Sequence, residues 1–156
     1  MKPITFACQE TVALAPEEIA EQILDATKWS SFRGYRPIPG IRSAEFKSRT
    51  RNTAGSRIRV TNQDGSSHVE QIVGWQPDRR LRLEMKDFSP PLSRWATRFV
   101  ETWDFERAGA GTRVVRTLEL YARRRATRPL FCVIALLLKR AVARHLTDVK
   151  QAAQPR

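Results

Sequence analysis

Cysteine is scarce in this chain. Cys8 and Cys132 are the only two among 156 residues, and they lie far apart. That excludes a disulfide framework and any cysteine-based metal site. Histidine is equally rare, with only His68 and His145, so no pair has ligand spacing and no metal is expected. A glycine-rich phosphate loop is missing, because Gly109 and Gly111 fall between two strand-like segments and a hairpin accounts for them. Long apolar runs are missing too. The longest, Leu130 to Leu138, is nine residues, against the roughly 20 that a membrane span needs. The opening Met1-Lys2-Pro3 lacks the apolar stretch of a signal peptide, so a cytoplasmic location is expected. No internal repeat, low-complexity tract or composition break divides the chain, and a single domain over residues 1–156 is expected.

Acidic residues are also few. Sixteen Asp and Glu face 28 Lys and Arg, for a net charge of +12. Such a surplus draws nucleic acid, anionic lipid or acidic partners through its long-range field. The basic clusters are Arg49-Arg51-Arg57-Arg59, Arg79-Arg80-Arg82 and Arg123-Arg124-Arg125-Arg128. No nucleic-acid-binding motif accompanies them, so nucleic acid ranks last as a partner. An anionic membrane surface ranks above it, and a merely solvated basic surface is the plainest reading.

What is present is a well-punctuated series of elements. Ile4 to Leu14 reads as a strand. Ala15-Pro16-Glu17-Glu18 then opens a helix, with proline in the first turn and acids at its positive end. Ile19, Ile23 and Leu24 form its buried stripe. Trp29 to Tyr35 is expected to form a short second helix, ended by Gly34 and Pro37-Ile38-Pro39-Gly40. Strands follow over Ile41–Arg49, Ser56–Asn62, Ser67–Trp75, Arg80–Met85, Phe99–Glu106 and Thr112–Tyr121. Asp64-Gly65, Pro77-Asp78 and Ala108-Gly109-Ala110-Gly111 supply turns. A helix from Arg128 to Ala153 ends the series. Strands joined by tight turns make an antiparallel sheet, and one long helix must cover its inner face.

Four landmarks give the series a likeness. They are the Ala15–Ile19 turn, the Gly55-Ser56-Arg57 strand opening, the Ile72–Leu81 stretch with Trp75 and Pro77-Asp78, and Trp103-Asp104-Phe105-Glu106 followed by Gly111-Thr112-Arg113-Val114. Together they resemble the START-like, polyketide-cyclase-like and birch-pollen-allergen-like superfamily. The resemblance implies an α+β helix-grip fold. A curved antiparallel sheet of about seven strands would wrap the long terminal helix, with one or two short helices after the first strand. It also implies a hollow for a small hydrophobic or amphipathic molecule. Binding or transport of such a guest is the leading function, and a cyclase or dehydratase acting in the same hollow is the runner-up. No cofactor is implied, and no catalytic set is shared across the superfamily.

Residue placement nominates the lining. Phe99, Glu101, Trp103 and Phe105 alternate onto one strand face. At about 100° per residue, Phe131, Ile134, Ala135, Leu138, Val142, His145 and Val149 share a broad helix face. The expected ligand contacts are Phe99, Glu101, Trp103 and Trp75 from the sheet, and Phe131, Leu138, Val142 and His145 from the helix. Glu101 is either an inward acid or base, or a partner of Arg59, Arg98 or Arg116. His145 and His68, the latter beside Glu70, are either polar contacts or acid–base groups in the cavity, or structural residues that are satisfied by a backbone partner or exposed. The Asp87–Trp95 stretch, with Pro90-Pro91, is expected to be a lid. Cys132, Val133 and Leu136 fall on the side of Lys139 and Arg140. They are either covered by loops or form an apolar patch for a homodimer or a membrane surface.

Overall fold

The computed structural model describes residues 1–155. Seven strands form one antiparallel sheet: β1 (Ile4–Val12), β2 (Ile41–Ser48), β3 (Arg57–Asn62), β4 (Ser67–Gln76), β5 (Arg80–Lys86), β6 (Ala96–Ala108) and β7 (Gly111–Ala122). The spatial order is β1-β7-β6-β5-β4-β3-β2. Strands β2 to β7 run as a continuous meander, and β1 returns to pair with the last of them. Helix α1 (Pro16–Leu24) follows β1, and helix α2 (Arg128–Ala153) closes the fold. This is the helix-grip architecture.

Alternation along the strands decides the inner face. Leu81 and Leu83 are buried on β5, Phe99, Glu101, Trp103 and Phe105 on β6, and Val114, Arg116, Leu118 and Leu120 on β7. Leu83 pairs with Glu101, and Trp103 with Arg116, so one register carries the inner row across three strands. Helix α2 lays Phe131, Ala135, Val142 and Leu146 against this face. Two apolar clusters result. One surrounds Ile19, Ile58, Leu81, Trp103 and Leu146, and the other surrounds Phe99, Leu118, Phe131 and Val142.

The expected second helix is displaced. A 3₁₀ turn runs over Ala26–Ser31, earlier than Trp29–Tyr35. The Asp25 carboxylate caps it, accepting from the Thr27 amide at 3.1 Å and hydroxyl at 2.5 Å. The strand β1 stops at Val12 because the chain turns there, and the Leu14 carbonyl accepts from Thr112 Oγ1 at 2.7 Å. The start of α1 is tied by Glu18, whose carboxylate accepts from the Ala15 amide at 2.7 Å. Further 3₁₀ turns cover Leu92–Arg94 and Arg125–Thr127. Leu130, Val133 and Leu136 are 39, 53 and 67% exposed, so no loop covers that side of α2.

Candidate functional site

Between the sheet and α2 lies a cavity of about 380 Å³. Its walls are mostly apolar. Leu83, Met85, Phe99, Trp103 and Leu118 come from the sheet, and Ile134, Leu138, Val142 and Val149 from α2. Ile19, Ile23, Trp29 and Phe32 close one side, and Phe88 to Leu92 close another. The volume lies within the usual range for a small-molecule pocket.

A buried polar relay sits on one wall. Arg116 Nη2 donates to both Glu101 oxygens, at 3.0 and 2.9 Å. Trp103 Nε1 donates to Glu101 Oε1 at 2.5 Å. The guanidinium stacks on the Trp103 ring, 4.1 Å from its centroid. Arg116 Nη1 then donates to His145 Nδ1 at 2.8 Å. That bond fixes the tautomer, because Nδ1 must be the bare nitrogen, and Nε2–H donates to Ser31 Oγ at 3.3 Å. Burial, reinforced by the Arg116 charge, pushes the His145 pKa down to about 3. Its imidazole is therefore neutral across the physiological range.

The relay closes the open question about Glu101. Its partner is Arg116. Arg98 instead lies over Tyr121, and Arg59 faces solvent. Both oxygens of Glu101 accept hydrogen bonds, and the lone pair of His145 Nδ1 is engaged. One donor is left over. Arg116 Nε is buried and has no hydrogen-bond partner, which is uncommon for a buried polar atom.

A second polar pair lines the cavity further along. His68 Nε2 lies 3.1 Å from Glu70 Oε1, with both side chains largely buried. The His68 ring is tilted against Phe88, 5.8 Å between centroids. Glu70 pairs with Met85, and Met85 with Phe99, two residues before Glu101. This pair and the relay are thus offset by two strands and two residues, roughly 12 Å at Cα by standard sheet spacings.

Six of the eight residues nominated from sequence line this space: Phe99, Glu101, Trp103, Leu138, Val142 and His145. Trp75 does not. A bulge between Ile72 and Gly74 keeps it opposite Leu81, beyond the cavity, where it packs against the first apolar cluster. Phe131 does not either. It is fully buried behind Phe99, edge to face at 6.1 Å. Sequence reasoning reaches Arg116 only as one of three partners for Glu101, although it is the centre of the relay. Its signal is present: it interrupts the otherwise apolar inner alternation Val114, Leu118, Leu120. Cys8 is half-buried, with burial pushing its thiol pKa up, and so lacks the traits of a nucleophile. Among the described residues, no three His, Cys, Asp or Glu side chains converge as metal ligands would.

A seven-stranded grip around one helix, with an apolar hollow and a few buried polar groups, defines a small-molecule-binding class of domain. The chain belongs to the polyketide cyclase / dehydrase and lipid transport family, whose profile matches residues 3–154. Solved structures share the fold. A Thermus thermophilus protein is 19% identical with a TM-score of 0.71, covering 97% of this chain and 100% of its own. Ginseng major latex-like protein 151 from Panax ginseng is 13% identical with a TM-score of 0.69, covering 99% and 100%. A Mesorhizobium loti protein is 12% identical with a TM-score of 0.68, covering 97% and 100%. No curated protein matches the sequence.

Proposed function

We propose that the chain binds and carries one small, largely apolar molecule whose polar end is a neutral hydrogen-bond acceptor. The observation that carries this reading is an apolar cavity whose wall holds one charge-neutralised polar relay, Glu101–Arg116–His145. Glu101 already neutralises the Arg116 charge, and His145 adds none. A full carboxylate at the relay would therefore find no net positive charge to meet it, whereas a carbonyl, quinone or phenol oxygen suits a neutral relay. Apolar burial would supply most of the affinity, at about 25 cal/mol per Å². A second polar function on the guest would find His68 and Glu70.

Native mass spectrometry of freshly purified protein tests this. Wild type is expected to carry an added small-molecule mass that is lost on mild organic extraction. An extracted protein that then takes up none of a panel of quinones, isoprenoid ketones and aromatic polyketides would overturn the reading.

A second reading, ring closure or dehydration of a bound chain, is favoured by the family and by His68 in the cavity. A carboxylate that orients an imidazole is a common acid–base arrangement. Glu101 and His145 are not free for such a role, because both are tied into the relay. Under this reading His68→Ala and Glu70→Gln abolish turnover of a bound polyketide while leaving its uptake intact. Equal loss of uptake and turnover would leave only the carrier.

A further inference from the structure

We infer that the N-terminal half of α2 is a docking surface for an anionic lipid bilayer. This surface is separate from the cavity and does not depend on which guest the cavity takes. Five large hydrophobic residues are markedly exposed among the described residues, and three of them, Leu130, Val133 and Leu136, share one arc of α2. The other two, Met1 and Val73, lie outside this helix. At 100° per residue the same arc continues into Arg140 and Arg144. Helix α2 therefore presents a greasy strip that runs into a cationic one.

The segment that carries the strip is charged with one sign. Residues 120–147 contain seven Lys or Arg and no Asp or Glu. Arg124 and Arg125 are exposed just before the strip and take part in no ion pair among the described residues. Arg140 and Arg144 donate to the neutral oxygens of Tyr35 and Gly34, so their charge is not cancelled. Apolar residues that enter the acyl boundary, ringed by long cations that reach the headgroups, are the chemistry of an interfacial helix. A second copy of the chain fits poorly. Two molecules at +12 each would oppose like arginines, and three side chains fall well short of the roughly 800 Å² per partner of a stable interface.

The strip lies near the Asp87–Trp95 loop. The Arg123 amide and Nε donate to the carbonyls of Trp95 and Ser93, at 2.7 and 2.9 Å. Ile134, one residue from Val133, lines the cavity together with Leu92. A bilayer held at Leu130, Val133 and Leu136 would thus lie close to the Phe88–Leu92 wall.

Vesicle co-flotation tests the proposal, using phosphatidylcholine vesicles with and without about 30% phosphatidylglycerol. Overall positive charge alone would attract anionic vesicles, so the deciding variant is the charge-neutral Val133→Ser/Leu136→Ser. Wild type should bind the anionic vesicles, and this variant should bind at least about tenfold more weakly. Arg124→Gln/Arg125→Gln should also lose about tenfold or more, with a reduced salt dependence. Uptake of a fluorescent apolar probe by the serine variant should match wild type, which establishes its fold and separates docking from cavity function. Equal flotation of wild type and the serine variant would overturn the proposal. So would a serine-sensitive dimer, seen by sedimentation, in a protein that ignores the vesicles.

Discussion

At the scale of single residues, Arg116 carries the greatest consequence. Its charge and that of Glu101 are each about 6% exposed, so neither can be left alone. Arg116→Met should lower stability by about 3–5 kcal/mol, because Glu101 would remain buried without its counter-ion. The double variant Glu101→Leu/Arg116→Met should recover most of that loss, since both charges then disappear together. Urea denaturation of the three proteins measures both effects. His145 adds a pH dependence of defined sign. Its folded pKa is about 3, whereas an unfolded histidine titrates near 6.5. Below pH 6.5 the unfolded chain takes up a proton that the folded chain refuses. Stability should therefore fall by up to about 1.4 kcal/mol per pH unit between about pH 6.5 and 3. His145→Asn, whose amide oxygen can still accept from Arg116, should lack this component when the slopes of the two proteins are compared.

At the scale of elements, the loop between the first 3₁₀ turn and β2 is tightly constrained. Gly34 has φ +73°, and a Cβ there would sit 2.4 Å from the Ile38 carbonyl oxygen. Gly34→Ala should cost about 2 kcal/mol or more, combining the left-handed backbone penalty with a backbone clash. Thermal melts would register it as a lower midpoint. Elements also differ in how far the sequence announces them. The bounds of α2, Arg128 to Ala153, follow from proline at its start and from apolar periodicity, both local signals. Strand order and the inner faces of β5 and β6 follow from alternation and hairpin turns. The displaced 3₁₀ turn does not, because Asp25 reads as the end of α1 when its carboxylate begins the next turn. Trp75 and Phe131 escape the pattern for a related reason. Periodicity assigns a side chain to a face, but how far along that face the interior becomes solid depends on packing between distant strands. Arg116 is legible as a break in an apolar alternation, but its bond to His145 joins residues 29 apart in sequence and no local pattern announces it.

At the scale of the whole molecule, the +12 charge is a cost to compactness. Most of its ion pairs are exposed and individually weak, Arg80–Asp104 and Arg107–Glu17 among them. Screening of the repulsion should outweigh their loss. The thermal midpoint is expected to rise when salt is increased from about 10 mM to about 300 mM, as the screening length falls well below the molecular diameter. Calorimetry across that range would check it, and a falling midpoint would place the net stabilisation in the surface pairs instead.

The two rims of the hollow are fastened unequally. On one rim, Ser31, Arg33, Gly34 and Tyr35 are each bonded to a polar group of α2: His145, Asp148, Arg144 and Arg140. On the other, Phe88 and Leu92 meet α2 through greasy contact alone, and Ser89 clasps the Ser67 backbone on β4. One rim is therefore expected to act as a hinge and the other as a door. Guest traffic is expected to swing the Phe88 side outward while the Ser31 side stays shut. Amide exchange should then be faster, and more sensitive to a bound guest, at residues 88–92 than at residues 31–35.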